Sequence, residues 1–541
     1  MMNPVEAAEL VLPRRWPLGE ELHERKMRRT LQTDKDVELA RRNVRETEWG
    51  RKELEGVLGR ARKWKEMADH LLWSLVLPTT VPRRHYVNQL KGCPTHGTEI
   101  KKSGHFHPWR IDPIRHPWKI QCPVGGEWYP SNDFANGKVT GGAFPDDGFA
   151  YVAADGEHYY FLAEYAELVH LHWIRPAVSS LAQAYLLTGE DVYARKAAIL
   201  LLRIAEEYGH MATVINDRAR CDCGYPRVRP RDPLRKPNGN GWVGFFTDRI
   251  WENENVVRFA SAYDSIFDAL SGDETDLPTF MYEQRQEALA GPQRAFYSHL
   301  AELSSPGTMS EARAFIETNM LRVMAQGILD RAIYGNDGMH QNAMITLALV
   351  MDSPRARELV DWCYTGPGQM QFHLANYFFK DGSAYESLGG YKSIHIRGLN
   401  DVVMKLERLR AERPELYPVA RYPAITEQPK HRLLYDFPIR LVLGARFPPA
   451  VGDTGGPPDL RRPQRVEVSN DLAPADYDTA FRLYGDPRYA QVLASAKGGI
   501  PRPNLFRAPL DDQVSAILQT RGSEIARATD VLDGYGLALL R

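Results

Sequence analysis

In YGNDGMHQNAMITLALVMD, residues 334–352, a histidine sits just inside an apolar run. Asp337 is a plausible N-cap for the helix that this run predicts. His340, Met344, Leu347, Ala348 and Met351 then share one stripe at helical spacing. A core histidine bonded to a carbonyl explains that position. So does a histidine facing a cleft: the free N–H groups and partial positive charge of a helix N-terminus favour an anion and disfavour imidazolium. A neutral imidazole there can accept a proton beside a bound carboxylate. Gln341, Asn342 and Asn336 add amides.

A second stretch, FFKDGSAYESLGGYKSIHIRGLNDVV (378–403), repeats the arrangement. Asp381-Gly382 and Gly389-Gly390 read as turns, and a helix starts at Tyr391. Tyr391 and His395, at i and i+4, occupy its first turns. Arg397 follows as a cation for an acidic ligand. Further candidates lie upstream. WENENVVRFASAYD (251–264) opens a helix with Asn253 and Asn255, where simple capping is the competing reading. WYPSNDF (128–134) offers Trp128 and Tyr129 as sugar-stacking surfaces and Asn132 and Asp133 as hydroxyl partners, though aromatics can equally anchor a loop. Cys93-x2-His96 and Cys122-Pro-Val-Gly-Gly look like two metal knuckles. Gly125 and Gly126 stand where a further ligand would be, leaving three candidates of the usual four. Cys221-Asp-Cys223 has the wrong spacing for such a site.

These residues need elements to position them. The 541-residue chain is 43% hydrophobic and 25% charged with net charge −1, so nothing global points to nucleic acid or an acidic membrane. Five cysteines fit a reducing compartment, and no signal-peptide core or membrane-length apolar run is present, which predicts a cytoplasmic protein. Residues 27–76 read as amphipathic helices forming an N-terminal segment, 1–77. Residues 78–158 are irregular and rich in Pro, Gly, His and Trp, and are expected to pack on the domain that follows. From 159 to 504 one helix succeeds another. AYLLTGEDVYARKA (184–197) echoes AFRLYGDPRYAQVL (480–493), each a helix, a glycine turn and a helix. After 505, DQVSAILQTRG and EIARATDVLDGYGLALLR read as strands, the last with nothing to pair it.

The chain resembles the heparinase II/III-like polysaccharide lyases and their alginate lyase relatives. The resemblance rests on HLHWIRPAVSSLAQAYLLTGEDVYARKAAILLLRIAEEY, WENENVVRFASAYDSIF, IYGNDGMHQNAMITLALVMD, DGSAYESLGGY and VGDTGG, spread over residues 85–541. It implies a mainly α fold: an (α/α) toroid of helical hairpins followed by the start of an antiparallel β-sandwich, here with most of the sandwich missing. It also implies β-elimination on uronic-acid glycans such as heparan sulfate, hyaluronan, chondroitin or alginate. His340 then matches the family's helix-start histidine and Tyr391 its catalytic tyrosine.

In that reading His340 is base or carboxylate partner, and Tyr391 is base, acid or both in turn. Gln341, Asn336 or Asn255 neutralises the carboxylate, and His395 supports Tyr391. Many members carry Asn where this chain has Met339. The chemistry requires no cofactor; a divalent zinc, manganese or calcium ion at Asp453, or at Cys93, His96 and Cys122, is a separate expectation. The expected partner is an acidic oligo- or polysaccharide, not nucleic acid or membrane. The alternatives are a toroid glycoside hydrolase using two of Glu254, Glu386 and Asp381, and a non-catalytic glycan-binding relative.

Overall fold

The computed structural model describes residues 26–79, 81, 86–104, 106–211, 245–247, 249–353, 356–388, 390–442, 449, 451, 452, 472, 474–495 and 505–540. Its described residues are mainly helical, with short two- and three-residue strands. No helix among them is long and apolar enough to cross a membrane. The chain divides into two compact units. One comprises residues 1–33, 54–335 and 350–354; the other comprises 34–53, 336–349 and 355–541.

The first unit is built on helical hairpins. Arg175–Thr188 ends at Gly189, whose φ of 74° is the left-handed cap that lets Asp191–Met211 fold back against it. Glu252–Ser265 packs on the same helix. Phe161–Val169 runs into Arg175–Thr188 through a π-helical segment, His170–Ile174, where the Arg175 N–H bonds the His170 carbonyl. Pro176 explains that widening. It lacks an N–H and its ring crowds the carbonyl four residues back, so the ladder shifts by one residue just before it.

The irregular 78–158 segment lies in this unit. It contains a three-stranded antiparallel sheet of Arg110–Ile111, Ile120–Gln121 and Trp128–Tyr129, and a hairpin of Tyr151–Val152 with His158–Tyr159. Aromatic rings pin it to the first helix. Tyr129 stacks on Phe161 at 4.8 Å, and Trp118 meets Tyr165 at 5.7 Å.

In the second unit, the helix Met339–Met351 turns Ala343, Met344, Thr346 and Leu347 into the core, each 0% exposed. Tyr391–Glu412 and Pro429–Leu441 supply further core faces. Pro474–Tyr484 and Pro487–Ser495 form a hairpin around Gly485, with φ of 61°. The sequence echo thus marks the same turn once in each unit, because both glycines cap through a left-handed residue.

The C-terminal expectation needs correcting in part. Asp511–Arg521, read as a strand, is a helix. Its apolar Val514, Ile517 and Leu518 are spaced by three and four, a helical repeat. The last strand does have a partner: Leu537–Leu539 pairs antiparallel with Asp530–Leu532. This hairpin buries Leu532 and Leu539 against Leu388, Phe437 and Leu441.

Candidate functional site

In the second unit the helix carrying His340 begins one residue later than the sequence suggests. Gly338, with φ of 97°, is its N-cap in place of Asp337, and the Asn342 N–H bonds the Gly338 carbonyl at 3.0 Å. That shift makes Gln341 the third helical residue, and its Oε1 accepts from the Gly338 N–H at 2.8 Å. This is the returning half of a capping box. The Gln341 amide also donates to the Gly368 carbonyl at 2.9 Å and to Asp337 Oδ1 at 3.2 Å. Gln341 is committed to holding the helix start, not to an open cleft. Asn336 is half-buried, and its side-chain amide makes no hydrogen bond among the described residues.

His340 is 3% exposed, with its ring edge-on to Trp362 at 6.2 Å. Its Nε2 stands 3.8 Å from Asp337 Oδ1. Burial pushes the Asp337 carboxyl above its ordinary range, against the hydrogen bond from Gln341. The expectation that His340 opens on a cleft therefore gives way to an interior position.

The exposed chemistry lies around the second helix start. Gly390 (φ 59°, ψ −103°) precedes Tyr391, which is 38% exposed. His395 is buried, but Nε2 of its ring meets Glu386 Oε2 at 2.8 Å and its Nδ1 faces the Asp337 carbonyl at 3.3 Å. Both partners are acceptors, and together they fix the ring from its two sides. The Tyr377 ring lies 5.2 Å from His395 and Tyr385 lies 6.5 Å away. His373 stacks on Tyr377 at 4.6 Å. Burial, then the neighbouring imidazoles of His395 and His340, push the His373 pKa down to about 3. The set grades outward from buried His373 through half-buried Tyr377 to Tyr385, 53% exposed.

His373, Tyr377 and Tyr385 were not singled out by sequence. His373 and Tyr377 share the i, i+4 spacing of Tyr391 and His395, which was the available signal. Arg397 pairs with Asp476 at 3.0 Å. Asp381, a carboxylate of the hydrolase reading, accepts from Ser383 and from the Gly534 N–H.

The remaining candidates belong to the first unit. Asn255 is fully buried, bonded to His170 at 3.1 Å and to Glu252 at 3.1 Å, which makes it part of the core. Tyr129 is 2% exposed, so it is not an open stacking surface. Asn132, also buried, ties Lys138 and Asp146 together through its amide. Trp128 is half-buried and stacks on His116 at 4.0 Å. Glu254 pairs with Arg175. Cys93, His96 and Cys122 do come together, with one donor atom of each within 4.8 Å of the others. Asp453 and the Cys221/Cys223 pair lie outside the described residues.

No protein-family model, curated protein or solved structure matches the chain.

Proposed function

We propose that the chain is a polysaccharide lyase that cleaves uronic-acid glycans by β-elimination, using the second unit's Tyr391, His395 and Glu386. One observation carries this reading. A solvent-accessible phenol opens a helix four residues before an imidazole that a carboxylate holds in place. Elimination removes the C5 proton of a uronate and expels the 4-O-linked sugar. The proton is α to a carboxylate, so the transition state adds negative charge beside an existing one. Donors aimed at that group stabilise it.

The Asn336 amide, half-buried and without a hydrogen bond among the described residues, is such a donor. Tyr391 acts in its deprotonated form: the phenolate takes the C5 proton, then passes it to the departing oxygen and returns to phenolate. The Tyr377 and Tyr385 rings supply the flat apolar faces on which sugars stack. His340 stands behind this set as a buried support rather than as the base.

The test is ultraviolet absorbance during incubation with heparan sulfate, hyaluronan, chondroitin sulfate and alginate oligosaccharides. Elimination leaves a C4–C5 double bond conjugated to the carboxylate, which absorbs where the substrate does not. A rise with one substrate supports the reading and names the polymer. Cleavage without absorbance replaces it with hydrolysis, and binding without cleavage replaces it with a glycan-binding role.

A further inference from the structure

The first unit contains two tight Cys-Pro turns that face each other. In Cys93-Pro94-Thr95-His96-Gly97, the Cys93 N–H donates to the Gly97 carbonyl at 3.0 Å and the Gly97 N–H donates back at 2.8 Å. In Cys122-Pro123-Val124-Gly125-Gly126-Glu127, the Gly126 N–H donates to the Cys122 carbonyl, and the Cys122 N–H to the Glu127 carbonyl, both at 2.9 Å. The backbone N–H groups of Gly125 and Val124 are aimed at the Cys122 sulfur. Such N–H groups stabilise a thiolate.

The distances between the turns are the decisive feature. His96 Nδ1 lies 3.7 Å from Cys93 Sγ and 3.5 Å from Cys122 Sγ. An imidazole nitrogen has a single proton or a single in-plane lone pair, so a hydrogen bond serves one sulfur and leaves the other. A shared cation serves both. With Zn–S near 2.3 Å and Zn–N of 2.0–2.1 Å, a tetrahedral zinc separates S from N by about 3.6 Å. The other ring nitrogen, Nε2, faces Glu127 Oε1 at 3.5 Å. A carboxylate behind a ligating histidine fixes its ring and raises its basicity. Glu127 Oε2 is buried without a hydrogen-bond partner among the described residues.

Gly125 fits the same arrangement. A Cβ there would fall 2.2 Å from His96 Cε1 and 2.3 Å from Glu127 Oε1. The position that lacks a fourth ligand is thus the one that makes room for the histidine and its carboxylate.

We propose that Cys93, His96 and Cys122 bind one zinc ion, with Glu127 orienting His96 and solvent as the fourth ligand. Two thiolates and an imidazole select zinc over the hard cations. The ion would join the 92–97 turn to the sheet that carries Trp128 and Tyr129. The proposal is independent of the lyase reading, because it concerns a different unit and is read without substrate.

The experiment uses the full chain purified with reductant, with metal measured by inductively coupled plasma mass spectrometry. About one zinc per chain is expected. Cobalt exchanged into the site should give thiolate-to-cobalt charge transfer and strong tetrahedral d–d bands, and added thiol should shift those bands by replacing solvent. Cys122→Ser and His96→Ala should each lose the metal, while Cys363→Ser, at a buried cysteine elsewhere, should keep it. If the ligand variants fail to fold, thiol-selective release of zinc from the unaltered chain gives the same readout. A reduced chain that takes up neither zinc nor cobalt overturns the site, as does a Cys93–Cys122 disulfide that forms with no metal bound once reduced. Cobalt bands that ignore added thiol overturn the solvent ligand.

Discussion

The His395 imidazole is held at both ends, by Glu386 Oε2 at 2.8 Å and by the Asp337 carbonyl at 3.3 Å. The carboxylate comes from the turn before Tyr391, and the carbonyl from the loop that starts the His340 helix. One ring therefore ties together both helix starts of the second unit. Glu386→Gln keeps the shape and removes the charge. Hydrogen bonds to charged groups contribute about 1.5–3 kcal/mol, so turnover should fall about tenfold to a hundredfold with the melting temperature little changed. Steady-state elimination kinetics beside a thermal melt would measure both. Unaltered kcat would remove Glu386 from the mechanism.

Tyr391 and His340 should respond differently to substitution, because one is 38% exposed and the other 3%. Tyr391→Phe removes only a hydroxyl at the surface. Elimination should drop by about 10²–10⁴-fold, the usual contribution of a positioned acid or base, with stability unchanged. His340→Gln disturbs a packed interior, and should lower stability along with activity. A Tyr391→Phe variant that turns over normally rules out the phenol as the proton-transfer group.

Gly338 and Gly398 bring the two helix starts within reach of each other. A Cβ on Gly398 would stand 2.5 Å from Gly338 Cα, and one on Gly338 would stand 2.7 Å from Gly398 Cα. Alanine within a helix is ordinarily better than glycine by about 1 kcal/mol. Here the contact is backbone against backbone, and overpacking costs about 1–3 kcal/mol. Gly398→Ala should therefore destabilise the chain despite the gain in helix propensity, and should reduce activity by moving Asp337 from His395. Urea denaturation decides the sign.

How far this was legible in the sequence depended on whether a signal was local. The hairpins around Gly189 and Gly485 were readable because a left-handed cap leaves a glycine between two apolar repeats. Gln341 was misplaced by a single residue: with the cap at Asp337 its amide looks available, and with the cap at Gly338 it is half of the cap. Asp511–Arg521 was too short and too sparsely buried, with only Val514 inside, for its spacing to outweigh its β-branched residues. The gathering of His373, Tyr377 and Tyr385 around His395 is tertiary, and no spacing within one element encodes it.

Acid should weaken the second unit through two buried histidines. Burial pushes His373 down to about 3 and His431 to about 4, from an ordinary value of 6.5. Between those values the unfolded chain binds protons that the folded chain excludes. Stability is therefore complete above about pH 6.5 and declines as pH falls, by up to about 1.4 kcal/mol per pH unit for each histidine. Carboxylates titrate toward the lower end of this window, so the informative quantity is a difference. His373→Gln should flatten the stability-against-pH curve between about pH 6 and pH 4 relative to the unaltered chain. Parallel slopes would mean that His373 takes up its proton without unfolding.

The C-terminal hairpin should stabilise the turn that precedes Tyr391. Its Gly534 N–H donates to Asp381 Oδ2 at 2.9 Å, and the Tyr535 hydroxyl lies 2.5 Å from the Ala384 carbonyl and 2.8 Å from that of Tyr385. Burial alone would raise the Asp381 carboxyl, but donors from Ser383 and Gly534, with the Arg440 charge, hold it below its ordinary 3.8. A depressed carboxyl contributes stability that is present above the unfolded pKa and lost as pH falls through the folded one. Asp381→Ala should therefore cost about 1–3 kcal/mol at neutral pH and less in strong acid, where the native carboxyl is itself protonated. Tyr535→Phe should cost about 0.5–1.5 kcal/mol without that pH dependence. Both variants should also make the chain between residues 378 and 388 easier to cut by a protease. Limited proteolysis with mass mapping reads this directly, and cleavage at the rate of the unaltered chain would mean that the hairpin does not govern the order of the turn.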